Sequence, residues 1–308
     1  MGVYSNFCRS SNTLPPKPDT LYVSMNGKSP IGDAAYDLLE KFRGKFESYR
    51  DAARAGKDPE AIHQMRVNAR RLRACIRAFA PVLAQPVREL EPELRWIAVS
   101  LGEVRDADVH IERMPDVAAI LRELKVARLA QLRHDLGSPR YANLAEALKC
   151  RIAVAVHDDP PLASAPVVTV APDIVGLAYR GVKRVSAVID ESSEPASIHR
   201  LRKRAKRLRY TVDCFATLYG RPGKRFVATL KELQDLLGAH QDAIVAQALC
   251  AELQGRGADA ELGHYSKEAQ DVAEEMRAKV PAALDELAER WLTLKERMRA
   301  MRRQLWKS

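Results

Sequence analysis

The chain has 308 residues, a net charge of +10 and 46% hydrophobic residues, enough to bury a real core in one large domain or two modest ones. Its five cysteines are scattered, odd in number and form no CxxC pair, which argues against a disulfide scaffold or a zinc knuckle and for a reducing compartment. No apolar run reaches membrane-spanning length, and the first residues match neither a secretory signal nor a myristoylation site, so the expected protein is cytoplasmic.

Taken in order, residues 1–28 are rich in Ser, Asn and Pro and read as a disordered tail. A helix is expected from Ile31 to about Ala55, where Gly56 stops it. Asp58-Pro59 then offers an N-cap and a first-turn proline for a second helix that ends near Pro86. Further helices are expected over 87–113, 115–136 and 139–156. Residues 157–171 are proline-rich and aperiodic and read as a linker between a first helical half, 29–156, and a second, 172–308. The second half predicts helices near 172–190, 195–219, 223–252, 258–279 and 282–304. Val167 to Val170 is too short to build a sheet. The fold class is all-α.

Two of these helices carry one pattern. Residues 62–79, IHQMRVNARRLRACIRAF, answer to 198–215, IHRLRKRAKRLRYTVDCF, at an offset of 136. The same offset pairs Pro86 with Pro222, Leu94 with Leu230, Leu101-Gly102 with Leu237-Gly238, and Asp106 with Asp242. A constant offset over that length predicts a tandem duplication, with each half one structural unit.

On each helix the pattern makes two stripes. Met65, Ala69, Leu72, Ile76 and Phe79 share one apolar sector, as do Leu201, Ala205, Leu208, Val212 and Phe215. His63, Arg66, Arg70, Arg73 and Arg77 run beside it at spacings of three and four; His199, Arg202, Lys206 and Arg209 do the same. Lys203 belongs to the second basic cluster, and Arg71 and Arg207 point away from the rows. Residues 63–77 carry +5 and residues 199–209 carry +7, which leaves −2 for the rest of the chain. The protein is near neutral apart from two concentrated basic helices.

Most basic runs on helices are solvated faces. Exposed helices, however, interleave Glu with Lys at i,i+4, and neither segment holds an acid. Guanidinium groups bind phosphate oxygens bidentately and stay charged at any relevant pH. From His63 to Arg77 the row covers about 21 Å of helix axis, a span suited to a linear polyanion. The two rows could face each other across one basic cleft or pore.

The pattern H-x-x-R-x-x-x-[RK]-R-L-R, present twice and followed each time by L-G-x-x-x-D, resembles the CHAD domain, the conserved histidine alpha-helical domain. His63 to Arg73 with Leu101 to Asp106, and His199 to Arg209 with Leu237 to Asp242, carry the resemblance, which covers roughly residues 30–305. It implies an all-α fold of two pseudo-symmetric bundles whose basic cleft binds inorganic polyphosphate, and association with polyphosphate granules. It places His63, Arg66, Arg70, Arg73, His199, Arg202, Lys206 and Arg209 at that site. Arg77 departs from internal symmetry, since Asp213 stands in its place. Many relatives also carry a triphosphate-cleaving CYTH domain marked by E-x-E-x-K; Glu89-Leu-Glu91-Pro-Glu93 has Glu where Lys belongs and lies in a helical stretch, so a stand-alone module is expected.

Three rival functions remain at this level. Asp106, Asp108 and His110, or Asp235, His240 and Asp242, could hold a divalent metal for phosphohydrolysis or phosphotransfer. But i, i+2 and i+4 do not share a helix face, and the expected role of Asp106 and Asp242 is to orient nearby arginines. No nucleotide-binding loop accompanies the histidines, so no cofactor, no metal and no enzymatic activity are expected. Nucleic-acid backbone binding is the main alternative partner, although the rows offer little aromatic surface beyond Tyr210. Docking on an acidic protein is the third. Oligomeric state is not encoded in any of these patterns.

Overall fold

The computed structural model describes residues 26–114, 117–153, 162–255 and 259–305. The expected tail lies almost wholly outside them, as does the first part of the expected linker. Among the described residues the chain is all-α, and its one extended feature is an isolated antiparallel bridge between Pro30 and Pro166.

The helices are α1 (Ile31–Ser48), α2 (Arg50–Ala55), α3 (Pro59–Ala78), α4 (Gln85–Arg88), α5 (Glu91–Arg113), α6 (Ala118–Gly137), α7 (Pro139–Ala153), α8 (Val167–Ser186), α9 (Pro195–Phe215), α10 (Gly220–Leu253) and α11 (Asp259–Leu305), with a 3-10 turn at Ala80–Val82. The chain divides into two compact units. One is built from Met25–Ile111 and Ala118–Val170, the other from Ala171–Ser308 with Glu112–Val117.

Local chemistry explains where α3 begins. The Asp58 side chain accepts the Glu60 N–H at 2.9 Å, and Pro59 enters at the first turn, where a missing N–H costs nothing. Just before it, Gly56 ends α2 at φ 67°. A Cβ there would come within 2.6 Å of the Leu129 side chain on α6, so a glycine serves both the left-handed turn and the approach of α6. Met65, Ala69, Leu72, Ile76 and Phe79 are buried against α1 and its neighbours, with Phe42 and Phe46 beneath them. The larger of these side chains each contribute about 1.5–3 kcal/mol on leaving water. In the other unit Leu201, Ala205, Leu208, Val212 and Phe215 of α9 are fully buried, and α10 packs on both α9 and α11. Tyr179 of α8 stacks on Trp291 of α11 at 4.0 Å, with Phe226 of α10 at 5.8 Å from Trp291.

The helix expected over 31–55 is interrupted at Tyr49 and the one expected to end near Pro86 stops at Ala78, and two further helices differ from the sequence expectation. The segment from 258 to 304 predicts a break at Pro281, yet α11 runs through it for 47 residues. Proline in a helix interior costs about 3 kcal/mol. The long α10–α11 packing, with Val280, Leu287, Trp291 and Leu294 buried, outweighs that local cost. The second difference is α8, which starts at Val167, inside the expected linker, and contains Pro172. Its first N–H groups donate to carbonyls at the entry to α1: Val167 to Ser29 at 3.0 Å and Val168 to Gly27 at 3.1 Å. In return, Ile31 and Gly32 of α1 donate to Ala165 and Ala163, each at 2.9 Å. The two helix starts thus satisfy each other's orphan donors. A pairing between positions more than a hundred residues apart leaves no mark in local sequence.

Candidate polyanion site

Within its own unit, α3 holds His63, Arg66, Arg70 and Arg73 half-buried, with Arg77 exposed at the end. Lying beside the apolar sector, the row is partly shielded from water. Arg66 Nη1 donates to Asp106 Oδ1 of α5 at 2.9 Å. Its guanidinium lies against α5 at Gly102, where a Cβ would stand 3.5 Å from Arg66 Nε. The LG-x-x-x-D spacing therefore supplies a flat stretch of helix followed one turn later by a carboxylate.

Farther along the row, Glu91 holds two arginines at once. Arg73 donates to it through Nε at 2.8 Å, with Nη2 2.7 Å from the same oxygen, and Arg77 Nη2 donates to that oxygen too. Burial pushes the Glu91 carboxyl up, but the two guanidinium groups more than offset this and hold it below the usual carboxylate range. At Arg73 burial works against the charge, and Glu91 opposes that effect.

His63 sits at the start of the row. Burial lowers its pKa below the ordinary value, Glu60 opposes the shift, and the cations Arg105, Arg66 and Arg70 add to it. In the free protein the surroundings therefore favour the neutral form of His63.

On α9 the burial pattern is the same. His199, Arg202, Lys206 and Arg209 are half-buried, while Lys203 and Arg207 are exposed. His199 Nδ1 hydrogen-bonds the side-chain carbonyl oxygen of Gln241 on α10, so this nitrogen carries the proton. Arg209 is held on three sides. Its Nε donates to Gln234 Oε1 at 2.8 Å, its Nη1 to Asp213 Oδ2 at 3.0 Å, and its guanidinium lies 4.4 Å from the centre of the Tyr210 ring. Gln234 is itself fixed, donating to the Ala205 carbonyl at 3.0 Å.

The structure adds the partners of the basic rows to the sequence reading. The basic segments lack acids of their own, but Asp106 and Glu91 from α5 and Asp213 one turn past Arg209 supply them. Asp106 accepts from Arg66, whereas no sequence motif points to Glu91, Gln234 or Gln241; the only hint is that a bare like-charge row needs compensation from elsewhere. Asp242 is half-buried on α10. Arg71 leaves the row as expected and lies over the Phe42 ring, 5.6 Å from its centre.

The DADVH run does not converge. Asp106 is exposed and paired with Arg66, Asp108 is buried and paired with Lys125 at 2.5 Å, and His110 is buried. Among the described residues no group of three or more His, Cys, Asp and Glu side chains is placed to hold a metal ion. Among them, too, no helix is long and apolar enough to cross a membrane.

An all-helical chain that sets half-buried His/Arg rows against an LG-x-x-x-D helix belongs to a definable class. The family model of the CHAD domain matches residues 37–251, and the chain belongs to that family. It is 30% identical over 296 residues to two uncharacterized proteins of Mycobacterium tuberculosis, Rv2226 and MT2285, with 85% of this chain matched. The chain spans about half the length of these curated relatives, 54% of each. Its fold is similar to the crystal structure of the CHAD domain from the plant Ricinus communis, with a TM-score of 0.74, 24% identity, and 86% of this chain and 94% of that one covered. It is also similar to PptA from Streptomyces chartreusis, with a TM-score of 0.61, 18% identity, and 86% and 100% covered.

Proposed function

We propose that this protein binds inorganic polyphosphate along the His/Arg/Lys rows of α3 and α9, and that it acts in the cytoplasm, on polyphosphate granules. The observation that carries this reading is the half-burial of Arg66, Arg73 and Arg209 with internal carboxylates on them. A guanidinium already partly stripped of water gives more to an incoming phosphate oxygen than a fully solvated one. Asp106, Glu91 and Asp213 neutralise these cations in the free protein and give way as phosphate oxygens arrive. His63 and His199 begin their rows near the first turns of α3 and α9, where the helix dipole favours an anion.

In this reading the two halves, 29–156 and 172–308, are copies of one ancestral unit, and Arg70, Arg202, Lys203 and Lys206 complete the phosphate contacts. The role is binding without turnover. Calorimetric titration at physiological salt with medium-chain polyphosphate, duplex DNA and an acidic polypeptide tests it. Polyphosphate should bind most tightly. A preference for duplex DNA would replace the reading with nucleic-acid backbone binding.

A further inference from the structure

The helix α11 is electrically divided. Residues 259–289 hold nine acidic and three basic side chains, a net −6, whereas residues 290–305 hold one acid and six basic side chains, a net +5. In the acidic part and at its edge the cations other than Arg277, whose buried Nε has no hydrogen-bond partner among the described residues, are paired within the helix. Lys267 bonds Asp271 at 2.9 Å, Lys279 bonds Glu275 at 2.5 Å, and Arg290 bonds Glu286 at 3.4 Å. In the last turns this stops. Lys295, Arg299 and Arg303 are exposed and lie outside every carboxylate pair of the described residues, and Arg302 reaches Asp173 of α8 only at 3.6 Å.

Their placement is regular. Lys295, Arg299 and Arg303 follow one another at i,i+4 spacing and, with Arg302, occupy a sector about 100° wide on the helix. Leu287, Trp291, Leu294 and Met298, buried, fill the adjoining sector, centred about 100° away, and hold this end of α11 on its neighbours. The stripe is therefore presented by a packed helix. The helix dipole accounts for cations in the last turn only. Lys295 and Arg299 lie above that turn, and the like-charge neighbours cost stability unless an anion sits on them.

We propose that Lys295, Arg299, Arg302 and Arg303 form a second polyphosphate contact, separate from the rows of α3 and α9, which takes another stretch of a long chain. It rests on the polyphosphate reading above and extends it to chain length. The ligand chemistry follows from the side chains. Exposed guanidinium and ammonium groups, with no aromatic side chain among them within the described residues, suit a flexible string of phosphates. A long chain tethered on the rows is held at high effective concentration near other basic surfaces of the same molecule, so a weak stripe adds affinity with no new deep pocket. A short chain occupied by one row gains nothing from it.

The test compares the wild type with the triple variant Lys295→Gln, Arg299→Gln, Arg303→Gln, titrated with short-chain and long-chain polyphosphate over a range of salt. The three positions are exposed, and circular dichroism checks that the helix persists. The variant should bind long chains at least tenfold more weakly, with a shallower salt dependence, and short chains as the wild type does. Equal losses for both chain lengths, or no loss for either, would overturn the stripe while leaving the rows in place. A variant that loses duplex DNA binding but keeps long-chain polyphosphate would overturn it too, in favour of a nucleic-acid surface. A wild type that binds neither chain removes the polyphosphate reading itself, which is a different result from a silent triple variant.

Discussion

Arg66 of α3 and Asp106 of α5 lie forty positions apart and meet at 2.9 Å, with Arg66 about one-quarter and Asp106 about one-half exposed. An exposed pair of this kind contributes at most about 1 kcal/mol to stability. Its larger effect is on the ligand, because a phosphate oxygen approaching Arg66 competes with the Asp106 carboxylate. Asp106→Asn should leave the thermal midpoint nearly unchanged and tighten polyphosphate binding a few-fold. Glu91→Gln acts on two arginines in a less exposed place, so it should tighten binding further and cost about 2 kcal/mol of stability. Calorimetry beside urea unfolding measures both quantities. Weaker binding in both variants would mean that the carboxylates serve only to position the row.

Arg70 and Arg71 separate contact from charge. Each substitution to Ala removes one positive charge, so long-range steering changes by the same amount. Arg70 belongs to the row, and a charged hydrogen bond there is worth about 1.5–3 kcal/mol. Arg70→Ala should therefore weaken polyphosphate binding about tenfold or more. Arg71 lies over Phe42, so Arg71→Ala should leave affinity almost intact and lower stability by about 0.5–1 kcal/mol. On α9 the same contrast should appear between Arg209→Ala, severe, and Arg207→Ala, mild. Equal affinity losses at Arg70 and Arg71, with folding intact, would show that the protein responds to bulk charge alone.

Proton linkage at His63 has a defined sign. Burial and the neighbouring arginines hold its pKa below the ordinary value of 6.5. A histidine whose folded pKa is depressed destabilises the folded form only on the acid side. Stability of the free protein is complete above pH 6.5 and falls as the pH drops through the folded-state pKa. Polyphosphate reverses the local field and favours the imidazolium. Binding should then take up protons and strengthen as pH falls towards 6, and His63→Ala should flatten the profile. Titrations in two buffers of different ionisation heat count the protons. An unaltered proton uptake in His63→Ala would remove His63 from the site.

Salt dependence addresses the whole mechanism. If Arg and Lys contacts release counterions, the logarithm of the binding constant should fall linearly with the logarithm of salt concentration. Addition of EDTA should leave binding in place. A flat salt profile combined with loss of binding in EDTA would favour metal-bridged attachment.

Much of the architecture is legible in the chain because it is written in short periods. The three-four spacing of Met65, Ala69, Leu72 and Ile76 fixes a buried face, and Asp58-Pro59 fixes where that helix starts. The same spacing, applied to His63, Arg66, Arg70 and Arg73, places a basic row beside that face and half-buries it. These features depend on neighbours within two helical turns, so the local sequence determines them. What only the tertiary structure decided depends on partners far along the chain. Glu91 reaches Arg73 and Arg77, Gln234 and Gln241 reach Arg209 and His199, and the start of α8 is capped by the segment ahead of α1. Pro281 shows the same hierarchy in reverse. A local rule predicts a helix break, and an apolar seam running the length of α10 and α11 provides more free energy than the break would save.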